Sequence, residues 1–179
     1  MKKSLFSLFA LLLLGACSFV VNRNSEAIEI QELDYGIGKA ELISTWKNEK
    51  SPTGKIRTTG KEFKIIKRTS EIPLAIGSQF GVNYVVRSSS LSQLNLTFRW
   101  TYPKTIVNNQ GKKFSQVEFD LVKPTDAYTY STYTIEEDYE MVEGEWTFSI
   151  LKGKELIYER KFNLVKSATH KKYGEGKKP

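Results

Sequence analysis

Cys17 is the residue whose type and setting prescribe a chemical event most directly. It is the only cysteine in the 179 residues. It follows Gly15-Ala16, an apolar run from Leu5 to Leu14, and the positive start Lys2-Lys3. Two small residues ahead of a cysteine fit a signal peptidase that cuts between Ala16 and a lipidated Cys17. The apolar run is too short to span a bilayer. Other inventories for chemistry are thin. His170 is the only histidine and lies beside Lys171 and Lys172, so a Ser-His-Asp triad would need a base without rigid support. One histidine and one cysteine cannot build a zinc site, and no metal or cofactor is expected. Gly36-Ile37-Gly38 is too short for a dinucleotide fingerprint and reads as a bend in a strand.

Two further clusters invite chemistry. Glu136, Glu137, Asp138, Glu140, Glu143 and Glu145 concentrate carboxylates before Trp146. Oxygen ligation of Ca²⁺ is one use, but the Asp-x-Asp-x-Asp-Gly order of a calcium loop is missing, and a solvated turn is the expectation. Aromatic residues form the second cluster: Trp46, Trp100, Trp146, Tyr128, Tyr130 and Tyr133 would serve a sugar-stacking platform. Trp100 and Trp146 are in phase with apolar neighbours and are expected in the core. Tyr128 and Tyr130 share one strand face and Tyr133 takes the other, which makes these three the expected partner or glycan contacts.

The start of the chain resembles bacterial lipoprotein signals. That resemblance implies a diacylglyceryl thioether on Cys17 and, in many bacteria, an acyl chain on its new amino terminus. Two or more chains anchor stably where one binds reversibly. Ser18 rather than Asp after the cysteine implies sorting to the outer membrane, facing the periplasm, in a host with two membranes.

The elements that would carry any site follow from composition and periodicity. Residues 1–16 are read as the signal, 17–27 as lipidated terminus and tether, 28–165 as one domain, and 166–179 as a basic disordered tail. The formal charge of +7 resides mostly outside the domain: Lys2 and Lys3 account for two charges, and the tail carries five lysines against Glu175. The body is left near neutral, which gives no general case for nucleic acid. In the tail, Lys171, Lys172, Lys177 and Lys178 are the candidate contacts to an anionic surface. Without a second cysteine no internal disulfide is possible, so hydrophobic burial must hold the fold.

Alternation dominates the domain. Val82, Tyr84 and Val86, then Leu94, Leu96, Phe98, Trp100 and Tyr102, read as half-buried strands. Asn108-Asn109-Gln110-Gly111 marks a hairpin loop. Trp146, Phe148 and Ile150 turn through Lys152-Gly153-Lys154 into Leu156, Tyr158, Phe162 and Leu164. The run from Ala40 to Lys47 is ambiguous between helix and strand, and Asn48 to Gly54 reads as an exposed turn. The pattern predicts an all-β, antiparallel, immunoglobulin-like β-sandwich of seven to eight strands, with a small β-barrel as the alternative.

Tyr35-Gly36-Ile37, Ile72-Pro73 with Gly77-Ser78-Gln79-Phe80-Gly81 and Tyr84, and Gly144-Glu145-Trp146-Thr147-Phe148 followed by Phe162 carry a further resemblance. Over roughly Ile30 to Val165 the chain is similar to a bacterial exported domain family of unknown function. The resemblance implies a β-sandwich and no activity. The expected role is therefore a non-enzymatic, lipid-anchored envelope module with a protein partner. A glycan-binding lipoprotein using exposed aromatics is the alternative, and a carboxylate-based hydrolase the third reading.

Overall fold

The computed structural model describes residues 27–166. Eleven strands run in order: β1 (Ile28–Lys39), β2 (Leu42–Lys47), β3 (Lys55–Thr59), β4 (Lys64–Lys67), β5 (Glu71–Pro73), β6 (Gln79–Ser88), β7 (Gln93–Val107), β8 (Lys113–Pro124), β9 (Tyr128–Thr134), β10 (Gly144–Lys152) and β11 (Glu155–Val165). A 3-10 turn, Asp138–Glu140, is the only helical element among the described residues. No helix among the described residues is long and apolar enough to cross a membrane.

Two sheets, ordered β4-β1-β6-β9 and β5-β11-β10-β7-β8, pack as an immunoglobulin-like sandwich with one sheet curled towards a half-barrel. β2 and β3 form a separate hairpin. The sandwich uses nine strands rather than seven to eight, because two short strands, β4 and β5, extend the sheets. It is also not wholly antiparallel: β5 runs parallel to β11 for three residues. The ambiguous run from Ala40 resolves as strand β2.

Alternation places Leu94, Leu96, Phe98, Trp100 and Tyr102 of β7 inside, each at most 5% exposed. Opposite them stand Phe80, Val82, Tyr84 and Val86 of β6, all fully buried. Phe80 lies at the centre, with its ring centroid 5.1 Å from that of Phe162 and 5.5 Å from that of Trp100. Edge-to-face geometry of this kind brings the positive ring edge onto a neighbouring π face. β6 departs from the half-buried expectation: residues 79–86 are buried on both faces. Phe63 and Asn83 explain this, since the Asn83 amide donates to the Phe63 carbonyl at 3.1 Å and pins the chain over the outer side of the sheet.

The expected bend at Gly36-Ile37-Gly38 is present, with a register shift between Ile37 and Gly38 against β4. Gly36 has φ of +136°, and an added Cβ would meet the Lys67 carbonyl at 2.2 Å. The hairpin loop ending in Gly111 is also as expected, closed by Gly111 N–H donating to the Asn108 carbonyl at 2.9 Å. At the opposite margin Glu32 of β1 reaches across to β11, where Arg160 and the Tyr158 hydroxyl both donate to it. The Arg160 guanidinium rests 4.0 Å from the Tyr35 ring centroid, a cation–π contact that supports the bridge between the sheets.

Candidate functional site

β8 ends one sheet and β9 ends the other, and the gap between these edges is not closed by pairing. The β2–β3 hairpin lies against this side and leaves a cavity of about 420 Å³. That volume falls in the range of small-molecule sites. Its apolar wall comes from alternate residues of β8, Val117, Phe119 and Leu121, with Trp100 behind them. Hydroxyl groups of Thr129, Ser131 and Thr134 line β9, and the hairpin supplies Trp46, Lys55, Arg57 and Thr59. Trp46 is 42% exposed, so its ring stands at the solvent margin.

Charge in the cavity is arranged unevenly. Arg57 donates to Glu136, and the Lys55 ammonium lies 3.4 Å from the same carboxylate. Glu140 is 1% exposed and fully engaged. Its Oε1 accepts from the Tyr133 hydroxyl at 2.5 Å, while Oε2 accepts the backbone N–H groups of Glu136 and Glu137 at 2.9 and 3.0 Å. Burial raises the Glu140 carboxyl above its ordinary value, opposed by these hydrogen bonds. Burial also pushes the Lys123 ammonium below the usual lysine value. Two polar atoms on the walls, Arg57 Nε and Thr134 Oγ1, are buried without a hydrogen-bond partner.

The family model described as domain of unknown function (DUF3859) matches residues 26–164. The chain belongs to this family. An immunoglobulin-like protein from Pseudomonas aeruginosa has a similar structure, with a TM-score of 0.51 and 22% identity over 76% of this chain and 97% of its own. That likeness bears on the fold. The alkylpurine DNA glycosylase AlkC of Pseudomonas fluorescens, bound to DNA containing an abasic site analog, aligns at a TM-score of 0.39 and 11% identity, covering 76% of this chain and 30% of its own. No curated protein matches the sequence.

Within this DUF3859 domain the three tyrosines border the cavity, and every hydroxyl is already bonded. Tyr128 donates to Asn83 Oδ1 at 3.1 Å. Tyr130 donates to Thr59 Oγ1 at 2.8 Å. Tyr133 faces the core, its ring centroid 5.0 Å from that of Trp146. Tyr128 and Tyr130 leave β9 on the other side, and of the three only Tyr128 is an exposed residue, at 44%. Trp100 and Trp146 are buried, as alternation requires.

The acidic segment corrects the expectation of a solvated turn at two positions. Glu140 folds back to cap the Asp138–Glu140 turn in a capping box with Glu137, and Glu136 is committed to Arg57. The turn at residues 48–54 is likewise partly covered: Ser51 and Pro52 are buried, and the Asn108 amide donates to the Pro52 carbonyl. No group of three or more His, Cys, Asp or Glu among the described residues is placed to hold a metal. Ala16, Cys17 and the tail lysines Lys171, Lys172, Lys177 and Lys178 lie outside the described residues.

Sequence reading missed Arg57 and Lys123. For Arg57 there was no local signal, because its partner Glu136 lies 79 residues away. Lys123 carried one: it continues the inward parity of Val117, Phe119 and Leu121, where a charged residue is out of place.

Proposed function

We propose that this protein is a non-enzymatic recognition module of the bacterial cell envelope, held at the membrane through lipidated Cys17, and that it takes a sugar in the cavity between β8, β9 and the β2–β3 hairpin. Trp46 carries this reading: a large aromatic residue, 42% exposed, bordering a cavity lined by hydroxyl and basic side chains. Sugar rings offer apolar C–H faces to an aromatic plane and hydroxyls to polar neighbours, so both kinds of wall are used. Arg57 Nε and Thr134 Oγ1 supply hydrogen-bonding capacity that the protein itself leaves unused. The two carboxylates have other work, Glu136 in ion pairing and Glu140 in capping, which disfavours a pair acting as acid and base.

Binding of the full chain to immobilised envelope oligosaccharides tests the reading. Retention by at least one sugar, lost in Trp46→Ala with an unchanged circular dichroism spectrum, is the expected result. Failure to retain any sugar, or equal retention by Trp46→Ala, removes it.

A protein partner is the second reading, favoured by β2 itself. All six of its residues are exposed, with Leu42 at 45% and Ile43 at 60% beside Trp46. In-cell crosslinking with a mislocalised Cys17→Ser control decides this: a specific partner lost in the control supports it, and reproducible absence of partners from the anchored protein eliminates it.

A further inference from the structure

Resting on the sugar-binding reading above, we infer that the cavity takes an acidic sugar, whose carboxylate or phosphate is received by the ammonium group of Lys123. Four basic side chains, Lys55, Arg57, Lys61 and Lys123, border the cavity against two carboxylates, Glu136 and Glu140. Glu136 answers both Lys55 and Arg57, and Glu140 is enclosed by its own three hydrogen bonds. Lys123 has no carboxylate within ion-pair distance among the described residues. Its neighbour is aromatic: the Nζ lies 5.4 Å from the centroid of the fully buried Phe98 ring.

A cation–π contact offsets only part of what an ammonium loses on leaving water. Burial therefore lowers the affinity of Lys123 for its proton, and an anion entering the cavity reverses that effect by favouring the charged form. Placement follows from the strand. Lys123 continues the row of Val117, Phe119 and Leu121, so its aliphatic stem extends the apolar wall while its head brings charge to it. Arg57 Nε, buried and without an acceptor, gives a second donor on the opposite, hairpin wall. A ligand with an apolar ring face and one acidic group satisfies Trp46, the β8 wall and Lys123 together. A neutral sugar leaves the last unanswered.

Three probes sharing one ring body test this: glucose, glucuronate and glucose 6-phosphate, titrated into the ¹⁵N-labelled full chain in detergent while the Trp46 indole N–H resonance is followed. The expected result is that one or both acidic sugars bind about tenfold or more tightly than glucose, the scale of one charge-assisted hydrogen bond. Comparing the two acids assigns the preferred anion. Lys123→Met, which keeps the stem, should reduce the acidic sugar to the affinity of glucose, and Lys123→Arg should restore the preference. In the unsubstituted chain, the Lys123 ε-methylene resonance should shift with the acidic sugar and not with glucose, a readout independent of any variant's folding. Equal binding of all three sugars overturns the acidic-ligand inference and leaves the sugar reading standing. No binding of any of them overturns the acidic-ligand inference, and retention on the envelope oligosaccharides then decides the sugar reading separately. A preference that survives in Lys123→Met, or an ε-methylene resonance unmoved by the bound acid, removes Lys123 from the role.

Discussion

Arg57 on β3 donates to the carboxylate of Glu136, which follows β9, and so fastens the β2–β3 hairpin to the edge of the sandwich across 79 residues of chain. The two side chains are 25% and 17% exposed, so the pair is partly withdrawn from water and screened less than a surface pair. Tyr130 donating to Thr59 and the Asn108 amide donating to the Pro52 carbonyl add further ties between the hairpin and the sandwich.

Glu136→Gln should consequently loosen the hairpin while sparing the sheets. A loss of about 1–3 kcal/mol in urea unfolding is expected for leaving a partly buried guanidinium without its counter-charge. Hydrogen exchange gives the local test: amides of β2 and β3 should exchange faster, with β7 and β10 unchanged. Uniform protection across all four strands would mean that the pair does not hold the hairpin.

Glu140 makes stability depend on pH in a definite direction. Burial raises its folded-state pKa above the ordinary 4.5, so the native state binds this proton more tightly than the unfolded chain. Its contribution is fully present below the unfolded value and is lost as pH rises through the folded one. In Glu140→Gln this component vanishes. Denaturation series from pH 4 to 7 on both chains should show the unsubstituted protein losing more stability over that interval than the variant does. Parallel curves would contradict the assignment.

Phe80→Ala should be among the most damaging single changes. The ring is fully buried and meets Trp100, Tyr133, Trp146 and Phe162, and its removal leaves a cavity between the two sheets. A loss of about 3–5 kcal/mol is expected by chemical denaturation, with collapse of the near-ultraviolet circular dichroism of the tryptophans.

Gly36→Ala tests the bulge in β1. A methyl group at φ of +136° and 2.2 Å from the Lys67 carbonyl cannot be accommodated without moving β4, and a cost of about 1–3 kcal/mol follows. A crystal structure of the variant should show β4 displaced or the β1–β4 pairing broken. A neutral effect on unfolding would contradict the steric account.

Cys17→Ser addresses the anchor. Acyl labelling should disappear and the protein should leave the membrane fraction, because the thiol is the acceptor in the proposed modification. Unchanged fractionation would sink the anchor and with it the envelope location.

Much of the fold was legible because a strand exposes its two faces alternately and water sorts side chains accordingly. Leu94 to Tyr102 and Trp146 to Ile150 announced their strands by parity alone, and Asn108 to Gly111 announced its turn by backbone permissiveness. β6 was read correctly as a strand but only half of its burial was visible, since Phe63 covers its second face from 20 residues away. The address proposed from the residues around Cys17 also rests on local sequence, because a signal peptidase and an acyl transferase would read contiguous residues. The candidate site belongs to tertiary structure. Which strands would end the two sheets, and where the β2–β3 hairpin would settle, depended on pairing choices spread over the whole chain. Those choices withdrew Glu136 partly and Glu140 almost wholly from solvent, set Trp46 at the margin of a cavity, and left Lys123 on its wall without a carboxylate partner. Parity can turn a side chain inward, but whether it finds an opposite charge there is decided by residues that only folding brings near.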